Sequence, residues 1–387
     1  MANARRKRRR KEGRARPSAA FPSPPSRADL GRRLLGVLLA PAVRCKILYH
    51  RLQDRLFRLG LRRVRRTDAV TVGVGGMSPE CRGRVLLTAW LLGWANARGV
   101  VAAVAGHLGG GNPPARPFQV LAGTDPAAAG IESALLARYA PPGRIIIDED
   151  QARAAKTAAR TFGPEMLVLQ DALGNPRLGR DLDLALLTPE DLGPGWDRVF
   201  PAGRWRREAA VLSRASAFCV FAGPAVLPAA MALAEKRLAP FGRPVFGMTF
   251  SLWRWRGPAG PAPLDALVDE PYCAVLGESD REMLPQQLHS LLGAAPRLAL
   301  YVHDSHRFTR QDLEDLRADA VRLRARVIVT SPRFALKLLP GAGLLDGLPV
   351  WTYDPEVVFG PTLFTDLPFL SWWEKTYGAA AQARQQT

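Results

Sequence analysis

Hydrophobic residues after position 68 occur in short β-branched runs that alternate with longer segments of helical periodicity. The short runs predict strands at residues 69–74, 100–105, 144–147, 166–170, 184–187 and 218–221, and the periodic segments predict helices at 84–98, 151–162 and 225–238. Strands separated by helices form parallel βαβ units, in which ligands bind at the carboxyl ends of the strands. The pattern therefore predicts an α/β core domain over residues 67–255 with a mostly parallel sheet.

A stretch rich in proline and glycine at residues 256–263 interrupts this alternation and predicts a domain boundary or a hairpin. Beyond it, strand patterns at 273–276, 298–303 and 327–330 alternate with helical patterns at 283–292 and 309–323. These elements predict a second, smaller α/β domain over residues 265–360, a cleft between the two domains, and a C-terminal tail at 361–387.

An amphipathic helical pattern covers residues 34–61. Apolar residues such as Leu48, Leu52 and Leu59 share one face, and a stripe of arginines runs along its flank: Arg44, Arg51, Arg55, Arg58 and Arg62. An apolar face edged by arginine suits a helix in the lipid headgroup region, and it equally suits a helix whose leucines pack on a domain. We predict a membrane-associated helical segment over 30–66 and leave both packing alternatives open.

The positive charge of the chain is concentrated at its N-terminus. Residues 1–66 hold 21 Lys and Arg and three acidic residues, a net charge of +18 out of the +19 of the whole chain. Residues 1–28 combine this charge with proline and serine, which predicts a disordered basic tail. Because the charge stops at residue 66, anionic lipid is favoured as its partner over nucleic acid.

Cysteine usage and hydropathy restrict the class of protein further. Cys45, Cys81, Cys219 and Cys273 form no Cys-x-x-Cys pair, which predicts reduced thiols in a cytoplasmic protein and no zinc site. A His-x-x-His spacing at residues 303–306 has no Cys or Glu partner nearby and is typical of polar rim residues. No stretch approaches the roughly 20 apolar residues of a spanning helix.

The candidate chemistry lies in residues 70–85. Gly75 and Gly76 follow the first strand, and Arg82, Gly83 and Arg84 lead into the next helix. Such a strand–turn–helix junction presents backbone N–H groups and a positive dipole end to phosphate. A phosphate-binding loop ends in Gly-Lys-Ser/Thr, with the lysine on phosphate and the hydroxyl on Mg²⁺. Here these five residues are predicted to contact nucleotide phosphates, with arginine in place of lysine and no hydroxyl ligand.

Three segments resemble one known family in the same order. Residues 72–84 lie without a gap on Val-Gly-Asn-Leu-Thr-Val-Gly-Gly-Thr-Gly-Lys-Thr-Pro, residues 200–208 resemble Leu-Pro-Ala-Gly-Pro-x-Arg-Glu, and residues 303–313 resemble Pro-Asp-His-His-x-Tyr-Thr-x-x-Asp-Leu. These are motifs of the tetraacyldisaccharide 4′-kinase (lipid A 4′-kinase) family, and the resemblance covers about residues 30 to 355. It implies a P-loop-NTPase-like core that uses ATP and Mg²⁺ to phosphorylate the 4′-position of a lipid A disaccharide precursor, the tetraacyldisaccharide 1-phosphate. It also implies a peripheral or monotopic location at the cytoplasmic face of the inner membrane.

The resemblance also implies roles for individual residues. Arg82 and Gly83 stand where the family has its lysine and threonine, His107 stands near the position of a family arginine, and Ile131 replaces an aspartate thought to act on the attacking hydroxyl. Asp171 remains from an acidic pair and is a candidate catalytic residue and Mg²⁺ ligand, with a turn-capping role as the alternative. Two further candidates for catalysis are Glu132 and His306.

These substitutions leave two function classes open. Loss of a general base lowers a rate by about 10²–10⁴-fold, and loss of one preorganised donor lowers it by about 10²–10³-fold. The chain is therefore predicted to be either a kinase of this family or a non-catalytic (pseudokinase) membrane-associated protein that binds lipid or anions. Nucleic-acid binding through the basic tail is the least favoured function.

Overall fold

The fold is α/β, as the hydrophobic pattern predicts. The computed structural model describes residues 27–79, 83–139, 143–281 and 283–386. Its strands are β1 (Val70–Gly76), β2 (Ala102–His107), β3 (Phe118–Val120), β4 (Ile145–Asp148), β5 (Met166–Gln170), β6 (Leu182–Leu187), β7 (Ala217–Phe221), β8 (Val245–Gly257), β9 (Gly260–Ala262), β10 (Tyr272–Gly277), β11 (Leu298–Val302), β12 (Val327–Thr330) and β13 (Val350–Leu363). Its helices are α1 (Arg27–Arg58), α2 (Gly83–Ala97), α3 (Pro126–Ala129), α4 (Ile131–Tyr139), α5 (Gln151–Phe162), α6 (Pro189–Leu192), α7 (Leu227–Leu238), α8 (Pro285–Leu292), α9 (Arg310–Arg322), α10 (Pro332–Leu338) and α11 (Phe369–Gln385).

One continuous sheet runs through both predicted domains. Its strand order is β11-β10-β12-β13-β8-β7-β6-β1-β5-β2-β4-β3, with β9 paired to the side of β8. The central strands are parallel and β1 is buried along its whole length, which explains why they read as uninterrupted apolar runs. β13 pairs parallel with β12 and antiparallel with β8, so this long strand joins the smaller domain to the core. The mostly parallel sheet is confirmed, and residues 256–263 form the β8–β9 hairpin.

The prediction of a C-terminal tail at residues 361–387 is wrong. Residues 361–363 complete β13, and α11 buries Phe369, Trp372 and Trp373 against the core. The ring of Trp94 on α2 meets that of Trp373 edge-on, with 5.5 Å between ring centroids. The segment was missed because its partners, among them Trp94 for Trp373 and Asp181 for Arg384, lie far away in the chain.

Helix α1 contacts the body of the protein through its polar flank. Arg207 pairs with Asp54, and Arg51 Nη2 lies 2.5 Å from Glu208 Oε2. Its apolar face points the other way, because Leu48, Tyr49 and Leu52 are 68%, 57% and 55% exposed. The leucine face therefore does not form the packing surface on the core. Within the described residues, no helix has the length and apolar character needed to cross a membrane. The predicted disordered tail lies, up to residue 26, outside the described residues.

Candidate functional site

The loop between β1 and α2 occupies the position of a phosphate-binding loop. Gly75 and Gly76 end β1, and Gly83 begins α2. A Cβ on Gly83 would lie 2.7 Å from Leu186 Cδ2, so packing excludes the hydroxyl-bearing residue that such loops carry here. Arg82 lies outside the described residues, and its predicted phosphate contact stays a prediction.

Arg84 forms the centre of the site. Its side chain is only 4% exposed. Nη1 lies 2.5 Å from Asp171 Oδ1, and Nη2 lies 3.2 Å from Glu132 Oε1 and donates to the carbonyl of Pro79 at 2.7 Å. Nε is buried and has no hydrogen-bond partner among the described residues. The second residue of α2 thus places a buried positive charge directly behind the loop.

Asp171 lies at the carboxyl end of β5, where the backbone turns sharply. Its φ of 58° is in the left-handed region, and its N–H donates to the carbonyl of Val74 on β1 at 2.7 Å. Arg206 pairs with Oδ2 while Arg84 pairs with Oδ1, so each carboxylate oxygen already faces a guanidinium. Burial lowers the pKa of Arg206 from its ordinary value, and the neighbouring charge of Arg84 lowers it further.

The donors around Asp171 do not fit a Mg²⁺ ion as they stand. Mg²⁺ requires octahedral oxygen coordination, supplied in such sites by carboxylate, hydroxyl, phosphate and water. Here position 83 is glycine, and both oxygens of Asp171 hold arginines. The described part of the chain contains no group of three or more His, Cys, Asp or Glu side chains that could hold a metal. The metal role of Asp171 stays a prediction that this arrangement does not favour.

A hydrogen-bond network fixes the loop to the segment at residues 200–208. Ser78 Oγ donates to Asp191 Oδ1 at 3.0 Å, and Trp205 Nε1 donates to the same oxygen at 2.8 Å. The N–H of Arg206 donates to the carbonyl of Met77 at 2.9 Å. Sequence reasoning missed Asp191 and Arg206. The capping box that starts at Thr188 and ends at Asp191 was the available signal for the first of them.

Of the three predicted catalytic residues, Glu132 and Asp171 meet at Arg84, whereas His306 packs within the smaller domain. His306 Nε2 lies 3.2 Å from Asp312 Oδ2, and its ring meets Phe308 edge-on. Lys337 Nζ donates to the backbone carbonyl of His306 at 2.9 Å. Burial, with help from Arg333, lowers the pKa of Lys337 to about 8. These contacts hold His306 on its own domain, and its catalytic role stays a prediction.

A cavity of about 660 Å³ opens beside Asp171 and extends to α1. Its charged and titratable lining includes Lys46, His50, His107, Glu149, Asp150, Asp171, Arg177, Arg206 and Arg207. His107 ends β2, and its pKa is lowered chiefly by burial, with a smaller effect from Arg206. The cavity is thus lined by four basic and three acidic side chains together with two histidines.

A second cavity, of about 400 Å³, also borders the loop. It is lined by Ser78 of the loop, by Thr188 and Pro189 after β6, and by Gly223 after β7. Glu278, Ser279 and Arg281, which follow β10, complete the lining. Asp171 thus lines the first cavity, and Ser78 of the loop lines the second.

The parallel sheet, the glycine-rich loop after β1 and the acidic residue after β5 define a P-loop-like α/β protein with a kinase-type fold. The sequence model of the tetraacyldisaccharide-1-P 4′-kinase family matches residues 35–367. The chain belongs to this family.

Individual relatives agree with this assignment. The tetraacyldisaccharide 4′-kinase of Nitratidesulfovibrio vulgaris is 32% identical over 359 residues, which cover 91% of this chain and 97% of that protein. The enzyme of the same name from Oleidesulfovibrio alaskensis is 32% identical over 318 residues, covering 80% of this chain and 86% of the relative. The crystal structure of the "apo" form of LpxK from Aquifex aeolicus in complex with ATP has a TM-score of 0.65 at 19% identity, and covers 89% of this chain and 99% of that one. This last similarity concerns the fold.

Proposed function

We propose that this protein transfers the γ-phosphoryl group of ATP to the 4′-hydroxyl of a tetraacyldisaccharide 1-phosphate, a step of lipid A biosynthesis. The observation that carries the proposal is the contact of Arg84 with Asp171, because it places a buried cation between the phosphate-binding loop and the acidic residue at the end of β5. Phosphoryl transfer is catalysed mostly by positioning and by neutralising charge on the transferred group. Both requirements match the buried charge of Arg84, which Asp171 and Glu132 hold in place beside the loop.

The two substrates are assigned to the cavities by their chemistry. The acceptor carries acyl chains and reaches the protein from a membrane, so it belongs to the cavity that Lys46 and His50 of α1 line. The nucleotide binds in the second cavity, of about 400 Å³, which residues after β6 and β7 and residues after β10 line. In this arrangement the γ-phosphate meets the acceptor beside Arg84 and Arg206.

In the proposed reaction, the 4′-oxygen forms a bond to the γ-phosphorus while the bond from that phosphorus to the β,γ-bridging oxygen breaks. ADP leaves with the electron pair of the broken bond, and the hydroxyl proton moves to a base. Glu132 is the carboxylate available for this role, since its side chain is 38% exposed and Arg84 holds it beside the loop. Arg84 and Arg206 stabilise the charge on the transferred group.

The reaction is proposed to take place at the cytoplasmic face of the inner membrane, with α1 as a peripheral attachment. Two observations support this location: the exposed apolar face of α1, and a groove of about 830 Å³ behind it. The groove is lined by three acidic residues and by seven arginines. The arginines are Arg51, Arg55, Arg58, Arg66, Arg180, Arg207 and Arg214. Such a surface attracts anionic headgroups while the apolar side chains enter the acyl boundary.

Flotation with vesicles tests the membrane attachment. Wild-type protein is expected to float with vesicles that contain phosphatidylglycerol and to stay unbound with pure phosphatidylcholine. Leu52→Glu places a charge on the apolar face and is expected to reduce flotation, whereas Leu370→Glu, on an exposed position of α11, serves as the control. Equal flotation of wild type and Leu52→Glu would contradict the attachment through α1.

A product assay tests the kinase proposal. Purified protein is incubated with ATP, Mg²⁺ and the tetraacyldisaccharide 1-phosphate, and the 4′-phosphorylated lipid is measured. Asp171→Ala is expected to lower the rate by about 10²-fold or more, because Arg84 and Arg206 lose the group that positions them. Arg322→Met, on the exposed surface of α9, is the matched control. Absence of product with the wild-type protein would contradict catalysis.

A non-catalytic role in binding lipid or anions is the second candidate. It is supported by the pairing of both Asp171 oxygens with arginine and by Ile131, which cannot accept a proton. Under this alternative, the lipid binds in the cavity beside α1 but no product forms. Lipid binding together with a turnover that survives Asp171→Ala unchanged would exclude both candidates in their present form.

A further inference from the structure

We propose that the nucleotide phosphates at this site are bound by the guanidinium groups of Arg84 and Arg206 with no requirement for a divalent cation. This inference rests on the proposed use of a nucleotide and concerns how the same site holds its ligand. The arginines take the place that a lysine and a metal ion share in a loop with Gly-Lys-Ser/Thr.

The Arg84 side chain is held in one orientation. It is almost fully buried, its Nη atoms are oriented by Asp171, Glu132 and the carbonyl of Pro79, and its Nε is buried without a partner among the described residues. A buried N–H without an acceptor destabilises the protein unless a ligand supplies one. The buried Arg84 therefore supplies a fixed positive charge behind the loop, and the 46% exposed guanidinium of Arg206 beside it is the group that phosphate oxygens can reach through paired N–H groups.

The charges around Asp171 are already balanced without a metal ion. Two guanidinium groups, Arg84 and Arg206, face two carboxylates, Asp171 and Glu132, with both oxygens of Asp171 engaged. An added dication would have to displace these arginines from Asp171 and would then repel them at short range. An arriving phosphate requires neither change, because it adds negative charge beside two cations that are already in place.

Packing prevents the usual metal ligand at position 83. A side chain on Gly83 would meet Leu186 Cδ2 at 2.7 Å and Phe221 Cγ at 2.9 Å, and both neighbours are buried. Position 83 therefore cannot supply a hydroxyl to a metal, while the next residue along the helix supplies a permanent positive charge. Because position 83 carries no hydroxyl and Arg84 carries a permanent charge, the site suits phosphate that binds without a metal ion.

Isothermal titration of the full-length protein with ATP, in excess EDTA and in excess MgCl₂, tests the inference. The wild-type dissociation constant is expected to differ by less than about threefold between the two buffers, a small difference in binding free energy. Arg84→Met is expected to weaken binding by about 10- to 100-fold in both buffers, the range of one or two charge-assisted hydrogen bonds. Arg322→Met is the control and leaves both constants unchanged.

Two further variants separate a loss of ATP binding from a failure to fold and test the role of the carboxylate. Arg84→Lys keeps the charge but loses the planar fork, so it is expected to fold, as judged by its melting temperature, and to bind ATP more weakly than the wild type. Asp171→Asn removes the carboxylate that a metal would need. It is expected to bind ATP in EDTA at least as tightly as the wild type, because Arg84 is released from its counterion.

Binding that is lost in EDTA and restored by Mg²⁺, or that Asp171→Asn abolishes in both buffers, would overturn the inference. Failure of wild-type protein to bind ATP in either buffer would overturn it as well. The kinase proposal is judged separately: EDTA-resistant binding without lipid product supports the inference and contradicts catalysis, whereas product formation with strictly Mg²⁺-dependent binding does the reverse.

Discussion

Gly83 lies directly against the ring of Phe221, and a Cβ on Gly83 would be 2.9 Å from Cγ of that ring. Phe221 ends β7 and is buried, so it has little room to move away. The helix that follows the phosphate-binding loop thus approaches the sheet more closely than any residue but glycine allows. The family's threonine cannot be restored at this position without repacking the core.

Substitution of Gly83 is therefore expected to destabilise the protein even when the new residue is small. Gly83→Ala should lower the free energy of unfolding by about 1–3 kcal/mol because of overpacking. Gly93→Ala is the matched control on the same helix: nothing lies within 4 Å of its Cβ position, and alanine should raise stability by about 0.5–1 kcal/mol. Urea denaturation measures both. Equal effects of the two substitutions would contradict the packing argument.

Asp354 is expected to stabilise the junction of β13 with β8 in a pH-dependent way. Arg254 Nε and Arg256 Nη2 lie 2.7 and 2.6 Å from Asp354 Oδ2, and the carboxylate is nearly buried. Burial raises the pKa of Asp354, but the hydrogen bonds from Arg256 and Arg254 outweigh it and hold the pKa below its ordinary value. Asp354→Asn should cost about 2 kcal/mol at neutral pH.

The sign of the pH effect follows from this depressed pKa. The stabilisation is complete above the unfolded-state pKa of about 4 and is lost as the pH falls through the lower folded-state value. The difference in stability between wild type and Asp354→Asn should therefore shrink as the pH is lowered below about 4. Urea titrations at a series of pH values measure it, and a difference that grows on acidification would contradict the assignment.

The C-terminal helix is expected to be an integral part of the core. Trp373 is fully buried and packs against Trp94 and Tyr377. Trp373→Ala should lower the free energy of unfolding by about 3–5 kcal/mol. Leu370→Ala, one turn earlier on the exposed side, should change it by less than about 0.5 kcal/mol. A small effect at Trp373 would show that α11 is dispensable.

The polar contacts of α1 are expected to control its attachment to the core. Arg207 pairs with Asp54 of the helix and donates to the carbonyl of Gly174 at 2.9 Å. Arg207→Met should raise the fraction of molecules in which α1 is detached from the core. Tryptic cleavage after Arg62 or Arg63 should then become about tenfold faster for each 1.4 kcal/mol by which the free energy of attachment falls. Arg44→Met, at an exposed position of α1, is the control. Unchanged cleavage would place the attachment elsewhere.

Local periodicity was sufficient to locate most of the central elements. The bounds of β5, α5 and β12 agree with the predicted segments to the residue, because strands buried on both faces and an amphipathic helix carry their pattern within a few residues. The hairpin at 256–263 was also visible in its glycines and prolines. Helix α4, the long β13 and α11 were missed. β13 pairs with β8, and α11 packs on Trp94 and Phe246, which are all far away in the chain.

The site was predictable only in part for the same reason. The glycines at the end of β1 and the acidic residue at the end of β5 identify a phosphate loop and its neighbour from sequence. The pairing of Arg84 with Glu132 and Asp171, which are 48 and 87 residues away, depends on the order of the strands and the position of α4. No local pattern records that geometry.

The sequence by itself determined the α/β architecture, the position of the loop and the concentration of positive charge before residue 67, because each depends on neighbours along the chain. The tertiary structure decided that Arg84 is buried beside Asp171 and Glu132, that Gly83 cannot carry a hydroxyl, and that the apolar face of α1 points away from the core. These features depend on burial and on which charges meet across the sheet, and folding sets both by joining segments that are far apart in the chain.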